Sequence, residues 1–343
     1  MLTYFVYWFL IIAFSYLGRF SKYVRVVPYL LLASLIGFRK EVGTDYDAYT
    51  YFFNYERDSD YLEIGYTWIN RWIASMGGNV HDVFLLMGLL SGFFIYKSLN
   101  NKQINYTPSA ILSYIFPFSF LVNGIRQSLA ISVSFFCYKY IEERKLFAFL
   151  LCIGFAFLFH NSIICMIPLF FFIHKYAPKK IYIIIFFISL ILTQLNFSQL
   201  VSPIENLIAM KDRYANLMEN DVATTGYFSI GLLFNWFLLS ILFVFFLKND
   251  YHKKYPVLFN LFFFSIIFFH MRIAAGIFIR VEVMFSWFQY LLLPIALSDK
   301  AISAKERFVI TILTTLMYTI LILNTYVLSS PNDLSPYKSI WSA

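Results

Sequence analysis

Four arginines stand where a hydrocarbon environment would reject a charge. Arg39 follows VPYLLLASLIGF, Arg126 lies within SFLVNGIRQSLAIS, Arg272 within FFHMRIAAG and Arg280 within GIFIRVEVMFSW. An ionised side chain near a bilayer centre costs at least ~2.5–3.5 kcal/mol on insertion scales, so something must offset it. Guanidinium stays protonated and forks onto phosphate or carboxylate, whereas a buried ammonium loses its proton more readily. Four such groups at the rims of four apolar runs suggest an anion site. Simpler readings exist: Arg39 beside Lys40 as a solvated helix end, and Arg272 as the end marker of a span. Arg280 is two residues from Glu282, which on a helix is a different face, so no local i,i+4 bridge accounts for it. Arg126, preceded by Asn123-Gly124 and set between apolar spans, is the hardest of the four to explain structurally.

The groups able to move a proton are fewer. Gly43-Thr44-Asp45-Tyr46 and Glu63-Ile64-Gly65-Tyr66 place carboxylates beside tyrosine rings. That pairing suits a carbohydrate, whose hydroxyls take charge-assisted hydrogen bonds while its apolar faces stack on rings. It equally suits an interfacial aromatic belt. His160, between FAFLF and NSIICMIP, could act as a general base or cap a helix end. No phosphate-cradling glycine loop and no Ser/His/Asp signature is present. Cys137, Cys152 and Cys165 have neither CxxC nor Cys/His spacing and read as small core hydrophobes.

These residues need a scaffold, and the composition names it. Of 343 residues, 60% are hydrophobic and only 13% charged, against about a quarter charged in soluble domains. The chain reads as an all-α, polytopic membrane protein forming one integral membrane domain over 1–343. The net charge of +8 falls in short clusters between apolar runs, which indicates membrane topology rather than nucleic-acid binding. Spans are expected at roughly 3–18, 26–38, 80–97, 108–124, 126–141, 146–159, 161–174, 181–196, 227–247, 255–271, 275–297 and 308–328, twelve in all, some short or broken. The first, with no basic n-region or small-residue cleavage site, reads as a retained helix. Alternating the gaps gathers 17 Lys and Arg against five Asp and Glu on one side. That side is expected to be cytoplasmic, with both termini outside. The same rule makes 146–174 go up and back, turning near His160. Two external loops result: 39–79, ending in the amphipathic IGYTWINRWIASM, which suits an interfacial helix, and 197–226.

Taken together, FRKEVGTDYDAY (38–49), Glu63, Gly65, Tyr66 and Asn70, NGIRQSLAIS (123–132), FHNS (159–162) and the late Arg280 before an aromatic span ending LLLP resemble the EpsG family of Wzy-type exopolysaccharide and O-antigen polymerases. The resemblance runs over most of the chain. It departs at Val281-Glu282-Val283, where small residues and tyrosines are more usual. It implies a glycosyltransferase, GT-C-like in the broad sense, that moves a growing glycan from undecaprenyl diphosphate to a lipid-linked repeat unit outside a bacterial cytoplasmic (inner) membrane. Arg126 and Arg280, assisted by Arg39 or Arg272, would hold the diphosphate. Asp45, His160 or Glu63 would be the base. Asn70, Asn123 and Gln127 would orient substrate, and Thr44, Tyr46, Tyr49 and Tyr66 would meet the sugars. No cofactor or metal is expected, although Asp45-Tyr46-Asp47 is a DxD that chelator would test. Partners implied are membrane lipids, a flippase and a chain-length co-polymerase. The competing readings are a lipid-linked oligosaccharide flippase, which should carry charges along the whole path and show repeated halves, and an O-antigen ligase, which shares the donor chemistry.

Overall fold

The computed structural model describes residues 2–18, 20–57, 62–100, 118–193, 230–274, 278–328 and 333–341. The expected second loop, 197–226, lies outside them. Among the described residues the chain is helical with no β-strand, and it groups into two compact units: residues 1–170 with 293–343, and residues 171–292. Among the described residues five helical stretches are long and apolar enough to cross a membrane, namely Val80–Leu99, Gly231–Lys248, Pro256–Ile273, Ile279–Ser298, which contains a short break, and Ala304–Val327; shorter apolar helices accompany them.

The first unit is built on α1 (Leu2–Leu17), α2 (Val27–Gly37), α3 (Tyr46–Tyr55), α4 (Ile64–Ser75), α5 (Val80–Asn100), α6 (Phe118–Asn123), α7 (Ile125–Glu142), α8 (Leu146–Phe157), α9 (Met166–Phe172) and α16 (Ala304–Leu323). Pro28 opens α2, where a missing N–H costs nothing. Its face then meets α5 antiparallel at four-residue steps. A Cβ on Gly92 would lie 3.3 Å from the Tyr29 carbonyl, one on Gly88 3.1 Å from the Ala33 Cα, and one on Gly37 2.7 Å from the Leu85 Cβ. Small residues let helix backbones approach where hydrocarbon offers no hydrophobic drive, and Gly88 and Gly92 have the GxxxG spacing. On the other side of α5 lies α7, buried almost all round. The hydroxyls of Ser132 and Ser134 bond back to the carbonyls of Ser128 and Ile131 at 2.7 and 2.8 Å, which satisfies them without a partner helix.

Between α8 and α9 the chain reverses. Phe149 stacks on Phe170 at 5.1 Å, so the start of one arm lies beside the end of the other, with Leu158–His160 and a 3₁₀ turn (Asn161–Cys165) at the tip. With 12 residues, α8 rises about 18 Å, well short of the ~30 Å hydrocarbon core. The described residues of 39–79 include α3 and α4. On α4, Tyr66, Ile69, Asn70 and Ile73 are buried while Trp68 and Trp72 are exposed, as an interfacial helix requires. The C-terminal segment 333–341 returns as a strap: Lys40 N–H donates to the Lys338 carbonyl, Ile340 N–H to Phe38 and Gly43 N–H to Asp333, each at 2.9 Å.

In the second unit, α10 (Lys179–Leu192), α11 (Ile230–Lys248), α12 (Tyr251–Lys254), α13 (Pro256–Ala274) and α14 (Ile279–Ser286) pack around buried polar clamps. The Asn260 amide donates to the Ile173 and Lys175 carbonyls at 2.7 and 2.8 Å and accepts from the Tyr182 hydroxyl at 2.7 Å. His270 lies between Ser189, at 2.8 Å, and the Trp236 indole, at 3.0 Å. The expected span 275–297 is interrupted at Trp287–Phe288, between α14 and α15 (Gln289–Ser298). Gly37→Val, which pushes a branched side chain against the Leu85 backbone, should destabilise the first unit by roughly 1–3 kcal/mol. A thermal unfolding midpoint in detergent equal to wild type would show that the α2–α5 approach is not tight.

Candidate functional site

Gly65 fixes the local geometry. Its N–H donates to the Leu158 carbonyl at 2.8 Å, and a Cβ there would lie 2.7 Å from the same oxygen. Only glycine lets the first turn of α4 press on the hairpin tip. Glu63, in extended conformation just before α4, is thereby brought to His160. Its Oε1 lies 3.1 Å from His160 Nδ1, while its other oxygen accepts from the Arg126 guanidinium. Three segments spread over nearly a hundred residues are tied by one carboxylate. Burial on its own would raise the Glu63 pKa, but the hydrogen bond from His160 and the charge of Arg126 outweigh it and hold the carboxyl below its ordinary value. Glu63 is therefore ionised at neutral pH, so the His160 proton facing it sits on Nδ1.

Arg126 belongs to the first turn of α7, just after the helix break at Gly124. Its guanidinium lies 5.9 and 5.7 Å from the Tyr49 and Tyr66 ring centroids, and its Nε has no hydrogen-bond partner among the described residues. Arg39 is different. It is fully buried, donates through Nη1 to the Val122 carbonyl, and stands 4.3 Å above the Phe84 ring. Nε and Nη2 have no partner among the described residues. Burial pushes the guanidinium down to about 10, which leaves it charged at neutral pH.

The polar groups singled out in the sequence distribute around this pair. Gly43, at φ +94°, turns the chain under Asn123, whose side-chain oxygen would collide with any Cβ there. Thr44 is exposed; Asp45 is half-buried at the start of α3 and is felt by both Arg39 and Tyr49. Tyr46, Tyr49 and Tyr66 are buried, with Tyr49 and Tyr66 5.7 Å apart, and Asn70 lies a turn beyond Tyr66 with its amide buried. Gln127 is buried on α7. Arg272 and Arg280 lie in the second unit. Arg272 bonds Glu282 at 2.8 Å, so the carboxylate near Arg280 in sequence is engaged by Arg272, while Arg280 stands half-buried on α14. Three participants had no sequence signal: Phe84, an unremarkable apolar position; His81, whose ring lies 6.1 Å from Tyr46; and the Val122 carbonyl, left open by the helix break.

A family model for EpsG matches residues 22–339. The chain belongs to the EpsG family. That family comprises Wzy-type polysaccharide polymerase-like proteins, so membership points to a polysaccharide-polymerase-type activity, glycosyltransferase-like, on a helical membrane scaffold. No curated protein and no solved structure matches significantly. Within this EpsG protein the knot makes a prediction. Because the folded Glu63 carboxyl titrates below its unfolded value near 4.5, its stabilisation is complete above that pH and is lost as pH falls through the folded value. Glu63→Gln should cost about 1–3 kcal/mol at neutral pH by leaving Arg126 underpaired. It should also flatten the acid limb of the melting-temperature profile below about pH 4.5. Parallel wild-type and variant profiles would contradict the knot.

Proposed function

We propose that this protein polymerises a polysaccharide by transferring the growing glycan from undecaprenyl diphosphate to a lipid-linked repeat unit, without a divalent cation, at the outer face of a bacterial cytoplasmic membrane. The observation that carries this reading is the Arg39 guanidinium, fully buried, with no carboxylate hydrogen-bonded to it among the described residues, and sharing Tyr49 and Tyr66 with Arg126. A buried cation with no carboxylate hydrogen-bonded to it among the described residues is expensive, and Asp45 acts on it only through space. A leaving diphosphate supplies the missing charge.

The chemistry balances on this chain's own side chains. The bond between the donor's anomeric carbon and the diphosphate oxygen breaks, and the electron pair leaves with the diphosphate, beside Arg39 and Arg126. Donors fixed in advance at the place where charge develops lower the barrier most. The acceptor hydroxyl oxygen forms the new bond and its proton goes to Nε2 of His160, the acceptor nitrogen when Nδ1–H faces Glu63. Glu63, with both oxygens engaged, orients rather than abstracts. Asp45, nearer the surface, is the alternative base. Arg39 and Arg126 suffice for this chemistry, so Arg272 and Arg280 are given no part in it. Thr44, Tyr46, Asn70, Asn123 and Gln127 are the groups proposed to position the sugars.

The charge distribution supports twelve crossings with both termini outside, which puts Arg39, Glu63, Arg126 and His160 on one side, where flipped lipid-linked sugars are presented. The short rise of α8 from the cytoplasmic Lys145 would then recess the His160 turn below the outer surface, out of bulk water. A flippase to deliver the repeat unit and a co-polymerase to set chain length are the partners such a reaction needs. Arg126→Lys tests the reading, because lysine keeps the charge and loses the fork. Polymer synthesis should fall towards the ~10²–10³ loss seen when one preorganised donor is removed, about 2.7–4 kcal/mol of barrier, with the protein still inserted. Wild-type polymer ladders from that variant would remove the diphosphate site. Excess chelator should leave the purified rate unchanged, and a rate restored only by added magnesium would overturn the metal-free route.

A further inference from the structure

Tyr46 belongs to two surroundings. The Arg39 guanidinium is 5.9 Å from its ring centroid, and the same residue lines a cleft of about 400 Å³ on the first unit. The cleft is walled by Phe38 and Lys40 after α2, by Asn79, His81 and Asp82 at the start of α5, and by Ile340 of the C-terminal strap. We propose that this cleft is a second sugar subsite, holding a residue of the glycan one step removed from the reacting bond, with the strap as its outer wall.

The volume lies in the ~300–1,000 Å³ range of small-molecule sites. Its lining mixes two aromatic rings with an ammonium, an amide, an imidazole and a carboxylate, the combination that meets a ring with hydroxyls on its rim and C–H bonds on its faces. The polar groups are already placed. Asp82 Oδ2 accepts from Asn79 N–H at 2.7 Å and Asn79 Oδ1 from His81 N–H at 2.8 Å, so the cap of α5 holds both side chains still. That cap uses the Asn79 oxygen and leaves its NH₂ group, like the Lys40 ammonium, without a hydrogen bond among the described residues. Leu85, whose backbone packs closely on Gly37, completes the lining. The wall is equally fixed. Lys40 and Ile340 are tied by main-chain hydrogen bonds to Lys338 and Phe38, Lys338 pairs with Glu41 at 2.7 Å, the Tyr337 hydroxyl reaches the Leu35 carbonyl at 2.9 Å, and Tyr4 holds the Leu334 carbonyl at 2.5 Å. The exposed Trp341 ring, 4.6 Å from Phe38, extends the aromatic surface beyond the cleft. The strap is anchored at five points around one opening, with an aromatic lip.

The inference rests on the glycosyltransferase reading above, and the two can fail separately. Full-length protein in nanodiscs is titrated with two probes: undecaprenyl diphosphate, which has no sugar, and lipid-free oligosaccharides of two to four repeat units cut from the host's surface polysaccharide. The variant is Lys40→Ala with Asn79→Asp, the second of which keeps the capping oxygen and removes the amide donor. It should weaken oligosaccharide binding at least tenfold while changing undecaprenyl diphosphate binding less than twofold, which also shows that it is folded. Arg126→Lys should do the reverse. Oligosaccharide binding unaltered in the double variant overturns the subsite and leaves the diphosphate reading standing. Wild-type protein that binds neither probe overturns both.

Discussion

A guanidinium taken out of water with no carboxylate hydrogen-bonded to it among the described residues is the constraint around which the first unit is arranged. The penalty for such a group is several kcal/mol even after relaxation. Arg39 recovers part of it from the Val122 carbonyl and from the Phe84 ring, 4.3 Å away, a contact worth up to about 2 kcal/mol when desolvated. The rest is absorbed by the surrounding fold. Gly37 locks α2 on α5 two residues before it, Gly43 turns beneath Asn123 four residues after it, and its own backbone bridges to Ser339 of the strap. With so many ties, the charge has nowhere to relax to. That fixity makes it useful to an arriving anion, since a donor that need not reorganise gives its full electrostatic benefit.

Helix breaks follow the same logic. Irregular backbone at membrane depth survives only where it is buried in protein or wet, and the two breaks of the first unit that lie beside the site each supply it. The break at Gly124 frees the Val122 carbonyl for Arg39 and starts α7 at Ile125, which places Arg126 in its first turn. The break at Leu158–His160 frees the Leu158 carbonyl for Gly65 and exposes the imidazole to Glu63. The unbroken α5, by contrast, provides small residues and an aromatic face, and little of the chemistry.

Much of this was legible in the sequence, and the limits are physical. Composition and charge clusters sufficed for an all-α membrane protein, and alternating charge required the hairpin at His160 that the Phe149–Phe170 contact displays. The IGYTWINRWIASM pattern gave α4 because its period separates Tyr66, Ile69 and Ile73 from Trp68 and Trp72. Pairing was not legible. Nothing in residue type tells that Glu63 bonds Arg126 and His160 together, because that depends on Gly65 seating on a carbonyl almost a hundred residues away. Nor could Arg39 be told from a solvated helix end, since Lys40 beside it is exposed and only the tertiary fold buries one of the two. Arg272 and Glu282, ten residues apart on two different helices, are no more readable, as no helical period connects them.

The difference between the two arginines of the first unit is itself informative. Had both been bound to carboxylates, the pocket would be neutral and an anion would have to displace a partner to enter. Had neither been, two like charges sharing Tyr49 and Tyr66 would burden the apo fold beyond what carbonyls and rings return. Among the described residues one cation is hydrogen-bonded to a carboxylate and the other is not, so Arg39 feels Asp45 only through space. Arg126 can keep Glu63 through one end of its fork while its unpartnered Nε remains for a ligand. Because that same carboxylate holds His160, any anion that draws Arg126 away leaves Glu63 to lean more fully on the imidazole. On the proposed reading, charge building up on the departing diphosphate would thus raise the basicity of His160 at the moment the acceptor hydroxyl must lose its proton. The coupling needs no moving part beyond three side chains already in contact.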